Sequence, residues 1–199
     1  MDREVKIHTT VLILQGLLMI GLGLALFWVG STMTNILFEA TGVVVAVLLT
    51  AACLLLIGVL DAIAGFTIHK GHRRELRCYI FVAAIAMIAG LFFWFSPWGS
   101  VQILAALAGL QGLLWGGWDL RLASHLKDHP RERRALRIFG AITLALGILL
   151  IVGIELTSRA ALFLLAFYVT YIGLHIFMIG LYIYHPWKQV STPTPTSIS

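Results

Sequence analysis

Cys78–Trp118, CYIFVAAIAMIAGLFFWFSPWGSVQILAALAGLQGLLWGGW, is a run of 41 residues with no charge, broken near its middle by Ser96-Pro97-Trp98-Gly99-Ser100. A bilayer core ~30 Å thick needs about 20 apolar residues per helix at 1.5 Å rise. The stretch therefore reads as two membrane spans joined by a tight turn. Working outward, apolar runs at roughly 10–30 and 42–68 precede it, and runs at 138–154 and 160–184 follow it. The expected fold is an all-α integral membrane protein of six transmembrane helices, arranged as three repeated hairpins over about 10–68, 78–123 and 138–184. These form a single membrane domain over 1–188. The tail 189–199, QVSTPTPTSIS, alternates Pro with Thr and Ser and is expected to be disordered.

Composition agrees. At 60% hydrophobic, 12% charged and a mean hydropathy of +0.96, the chain has too little polar surface to cover a water-soluble globule. The first apolar run continues past signal-peptide length without an A-x-A site before the next span, so it is expected to remain in the protein. Cys53 and Cys78 make no disulfide framework and read as packing thiols. The net charge of +5 is better explained by topology than by nucleic acid. Thirteen of the 14 Lys and Arg residues fall on one side of the six spans, and only Arg159 falls on the other. By the positive-inside rule both termini are cytoplasmic. Trp28, Trp94 and Trp98 would mark the outer interface; Tyr79, Trp115, Trp118, Tyr182, Tyr184 and Trp187 would mark the inner one.

The internal repeat is the most informative pattern. At a spacing of seven, the odd spans carry Gly16 and Gly23, Ala83 and Gly90, and Gly140 and Gly147. The even spans carry Ala51, Gly58 and Gly65; Gly109, Gly116 and Ala123; and Ala166, Gly173 and Gly180. The third copy follows the second by 57 in both spans. The second follows the first by 67 in the odd span and 58 in the even one, so the first outer loop, containing STMTNILFEAT, is expected to be nine residues longer. Arg3-Glu4-Val5-Lys6, Arg74-Glu75-Leu76-Arg77 and Arg131-Glu132-Arg133-Arg134 precede the three odd spans. A residue every seven positions stays on one face when helices cross at about +20°. Lipid tails are as apolar as Leu, so association in a bilayer rests on small residues that let backbones approach. Each span thus carries a packing seam. Gly112 and Gly116 also form a GxxxG, a common motif. The simplest assembly is about a pseudo-threefold axis along the membrane normal; a sequential row of hairpins stays open.

Asp61 and Asp119 occupy equivalent places in two repeats, each three residues after a seam Gly, and so on the seam side of the helix. With the fourth span starting near Ser100, Asp119 lies about 19 residues in, close to the inner edge of the hydrocarbon. Two readings stand: carboxylates that bind a proton or cation at a cytoplasmic mouth, or carboxylates that pair with Arg73, Arg74, Arg121 or Lys127 and lock the helix ends against the macrodipole. In the third repeat Ile176 replaces the acid, and His175 is one position off the seam. His175 either titrates between pH 5 and 8 or bonds across helices. His69, His72, His125 and His129 lie in basic loops with no Cys or carboxylate to complete a metal set. Glu39, Glu155 and Arg159 are expected as solvated outer-loop charges. No P-loop, GxSxG, HExxH, CxxC pair or paired intramembrane Asp signature is present, so no catalytic, cofactor or metal site is expected and the protein reads as no enzyme. The expected partner is the lipid bilayer, with anionic headgroups at the basic loops and no nucleic acid.

The segment IAGLFFWFSPWGSVQILAALAGLQGLLWGGWD, matched between Met87 and Asp119 and more loosely in the other copies, resembles the HdeD family of small bacterial membrane proteins. The carrying features are a Gly in the span, a Pro near the turn, a Ser soon after, then spaced Gly residues. The resemblance implies a non-enzymatic protein of the bacterial inner membrane with a role in acid or envelope stress. The first copy departs from it in lacking the turn Pro. From the residues alone, the alternative is a small transporter or proton/ion channel using Asp61 and Asp119.

Overall fold

The computed structural model describes residues 2–34, 36–67, 73–96, 101–125, 130–153 and 157–190. They form six helices: α1 (Asp2–Thr32), α2 (Ile36–Thr67), α3 (Arg73–Phe95), α4 (Val101–His125), α5 (Pro130–Val152) and α6 (Ser158–Val190). Five contain apolar stretches long enough to cross a bilayer: Thr9–Thr32, Phe38–Ile63, Val101–Arg121, Arg133–Val152 and Ser158–Tyr182. The described part of α3 carries a shorter apolar stretch, Ala83–Phe95, although its 23 residues reach about 34 Å.

The surface has the polarity of a protein in lipid. Large apolar side chains such as Phe27, Phe81, Ile88, Phe95, Leu114 and Phe167 point outward and are more than half exposed, while Asp61, Asp119, Gln15 and Thr143 are buried. In water that distribution would be an aggregation surface. In hydrocarbon the exposed Phe and Ile cost nothing, and the polar groups are kept from the acyl chains. Trp28, Trp94 and Tyr182 are likewise exposed, as expected of interfacial aromatics. Trp98, Tyr79, Trp118, Tyr184 and Trp187 lie outside the residues whose side chains are described.

Small residues decide which helices meet. The three closest pairs are α1 with α6, α2 with α3, and α4 with α5. Each joins an even helix to an odd one across the repeat boundary. A Cβ placed on Gly16 would lie 2.8 Å from the Gly173 carbonyl oxygen, and one on Gly173 would lie 2.9 Å from that of Gly16. Gly109 and Gly147 face each other in the same way, at 2.8 Å both ways, as do Gly116 and Gly140 at 2.7 and 3.0 Å. In α2 and α3, Gly58 opposes the Ala83 carbonyl and Gly90 that of Ala51, each at 3.0 Å. Gly23 meets Ala166, and Gly180 meets Ile13. The seam residues Ala51, Ala83 and Ala166 are buried in these contacts, and Ala123 is buried as well; Gly65 lies outside the described surroundings.

Four expectations change. The two spans of the Cys78–Trp118 stretch are not each other's close partners: α3 lies along α2, and α4 along α5. Residues 97–100 of the expected turn lie outside the described residues, as do residues 191–199 of the tail. Much of the expected long loop STMTNILFEAT is helical, because α1 continues to Thr32 and α2 already begins at Ile36. The extra residues of the first copy lengthen helices instead of a loop, giving α2 32 residues against 25 in α4. Glu39 is therefore no loop residue but lies in the first turn of α2, where the helix dipole favours an acid. At the other end, α6 runs six residues beyond the expected end of its span, to Val190.

Because α1 and α6 are antiparallel, the first turn of α1 and the last turn of α6 lie at one end of the bundle. The far end is packed tight. Leu26, Val47, Val101, Leu150 and Leu162 are fully buried there, surrounded by Val29, Ala46, Phe93, Leu104 and Ala161.

Candidate intramembrane cavity

Toward the end carrying the termini the packing opens into a cavity of about 410 Å³. Its walls come from α1 (Leu12, Gln15, Met19), α2 (Ile57, Asp61), α4 (Gln111, Trp115, Asp119), α5 (Thr143) and α6, which supplies Tyr168, Ile172, His175, Ile176 and Ile179. The lining follows a regular spacing along the sequence. Ile57, Trp115 and Ile172 are spaced by 58 and 57 residues, as are Asp61, Asp119 and Ile176, and all six line the same space. Equivalent faces of the three even helices therefore converge there. Two of the three equivalent positions are acids and the third is apolar, which makes the cavity acidic and asymmetric.

The two carboxylates, each 8% exposed, are held differently. Gln15, 7% exposed, donates from Nε2 to Asp61 Oδ1 at 2.6 Å, a short charge-assisted bond that ties α1 to α2. Asp119 receives no hydrogen bond among the described residues, but His175 on α6 is close enough for the two to interact electrostatically. The imidazole is itself held in place, stacked on Phe139 of α5 with centroids 4.4 Å apart and planes 10° from parallel. The Phe139 carbonyl accepts bonds from the hydroxyls of Thr143 at 2.8 Å and Tyr171 at 3.3 Å. α5 and α6 thus form one positioned wall.

Of the sequence candidates, Asp61, Asp119 and His175 come together in this one cavity. The seam glycines do not line it; they hold the helices at the distance that leaves it open. Asp61 accepts a hydrogen bond from the carboxamide of Gln15, a partner on α1 that the sequence reading did not name. The side chains of Arg73, Arg74 and Lys127 lie outside the described residues. Trp115 lines the cavity, a place its reading as an inner-interface aromatic did not foresee. Gln15, Gln111, Thr143 and Tyr168 were not singled out from sequence. The signal for Gln15 was there: a carboxamide directly before seam Gly16, in an otherwise apolar span.

Among the described residues no group of three or more His, Cys, Asp or Glu could hold a metal ion. What the cavity offers is two carboxyl groups, carboxamide and hydroxyl dipoles, one indole and an aliphatic wall. Set against protein-family models, curated proteins and solved structures, the chain matches none.

Proposed function

We propose that this is a non-enzymatic, multi-pass protein of a bacterial inner membrane, with six spans, three repeated two-span units and cytoplasmic termini, whose buried acids bind a proton or cation for transport or conduction. The observation that carries the reading is the convergence of Asp61 and Asp119 on one intramembrane cavity. Ionisable groups in a bilayer are costly and mark pathways or binding sites. A pair serving only to lock helix ends has no need of an open space beside it. The basic helix ends favour the cytoplasmic placement of that end and contact with anionic headgroups there. A role in acid or envelope stress, implied by the HdeD resemblance, is compatible with such a site and rests on the Met87–Asp119 pattern.

Reconstitution into liposomes with an imposed pH or cation gradient tests the reading. Wild-type protein is expected to dissipate the gradient faster than empty vesicles and than the Asp61→Asn/Asp119→Asn variant. Equal, background flux in all three would end the transport reading for those ions. Deletion cells that survive acid challenge as well as their parent would remove the stress role.

A further inference from the structure

We infer that the cavity takes a monovalent organic ammonium with an apolar body, its charge at Asp119 and its cationic face against Trp115. The inference rests on the cation-site reading of the cavity and names the ligand class. Three observations select it. First, Asp119 is nine-tenths buried, lines the cavity and accepts no hydrogen bond from the described residues, whereas its counterpart Asp61 is already engaged by Gln15 at 2.6 Å. A buried carboxylate in that position gains more from a positive guest than one whose oxygen is already bonded. Second, Trp115 lies one helical turn before Asp119, lines the same space and is 58% exposed. Indole is the strongest of the side-chain π-faces for a cation, and it favours poorly hydrated ammonium groups. Third, the remaining wall is aliphatic: Leu12, Met19, Ile57, Ile172, Ile176 and Ile179. Ile176 stands where the repeat would put a third acid, so the site carries at most two negative charges and a broad apolar floor.

A hard divalent ion fits poorly, because Mg²⁺ and Ca²⁺ want six or more oxygen ligands in a closed shell. The volume, about 410 Å³, lies within the range of pockets that enclose small organic molecules. His175, stacked on Phe139, lies within electrostatic reach of the same carboxylate, so a guest at Asp119 is bordered by a ring already held in place.

The test uses the full-length protein in nanodiscs of zwitterionic phosphatidylcholine, with benzyltrimethylammonium as probe and its neutral carbon isostere, neopentylbenzene, as control. Saturable binding at one ammonium per chain is expected above that of empty nanodiscs. Asp119→Asn should weaken it by about tenfold or more, because the quaternary ammonium loses the opposite charge it faces, and Trp115→Ala by about threefold to tenfold. Asp119→Glu keeps the charge and should stay within about threefold of wild type, which separates loss of charge from loss of fold. The isostere should bind more weakly and be indifferent to Asp119→Asn. Equal ammonium binding by wild type and Asp119→Asn, equal loss in Asp119→Asn and Asp119→Glu, or no binding above empty nanodiscs would each overturn the assignment. Ammonium binding without ion flux would retire the transport reading and keep this one; flux without ammonium binding would do the reverse.

Discussion

The two ends of the bundle are made from the same six helices and yet have opposite character. At the far end the large side chains Leu26, Val47, Val101, Leu150 and Leu162 interdigitate and are fully buried. Toward the termini, equivalent faces of the same helices present Asp61, Asp119, Gln15 and Gln111 to an open space. The glycine and alanine seams run through both halves, so helix separation alone does not make the difference. Side-chain choice on the inward faces does: branched aliphatic groups close one half, and charged or amide groups, which cost too much to bury against each other without partners, hold the other open. The arrangement is a cavity beside a closely packed apolar core.

If the seams set the frame for both halves, breaking one should cost more than any change to either half. Gly147→Val would push a Cβ to 2.8 Å from the Gly109 carbonyl oxygen and 3.0 Å from the Leu113 amide nitrogen, where only backbone could give way. A loss of about 3 kcal/mol or more is expected, read as a shift in reversible unfolding in mixed micelles. Gly117→Val is the control, since nothing lies within 4 Å of a Cβ there; it should stay within about 1 kcal/mol, the intrinsic helix-propensity range. Equal losses in the two variants would mean that the stripes do not hold the helices together.

The frame was legible in the sequence because its cause is local and periodic. Small residues at intervals of seven, in apolar runs of bilayer length, leave backbone contact as the main source of cohesion. What the pattern left open was the partner of each seam. Gly58 and Gly90 look alike on paper whether α3 lies against α2 or α4, and only the packing distinguishes them. Likewise Asp61 and Asp119 were visible as repeat-equivalent acids, but Gln15 lies 46 residues from Asp61, and no repeat relation joins an odd helix to its neighbour's carboxylate. That Trp115 also lines the cavity was not legible for a related reason: near a membrane boundary, indoles that face lipid and indoles that face a cavity share the same position along the helix.

The contrast between the halves can be sharpened by emptying each. Leu150→Ala removes a fully buried side chain from the packed end and should leave a void, costing about 2–3 kcal/mol. Ile176→Ala removes a similar volume beside space that is already open. Its cost should fall below about 1 kcal/mol, because few contacts are lost. Similar costs at the two positions would mean that the cavity is closed in solution.

The smallest effect expected is also the most specific. Gln15→Leu keeps the approximate bulk but removes the donor to Asp61, leaving a buried carboxylate oxygen without its bond. The expected loss is about 1–3 kcal/mol. Gln111→Leu changes the same chemistry in the same cavity, at a residue that is exposed and makes no hydrogen bond among the described residues, and should cost under about 0.5 kcal/mol. The decisive quantity is the coupling between positions 15 and 61. In a cycle of Gln15→Leu, Asp61→Asn and the double variant, a bond joining α1 to α2 gives a coupling energy of about 1 kcal/mol or more. Additive losses would instead make Asp61 as open to the cavity as Asp119, and the two acids would become interchangeable sites for a guest. The asymmetry that assigns the charge to Asp119 thus depends on this one amide.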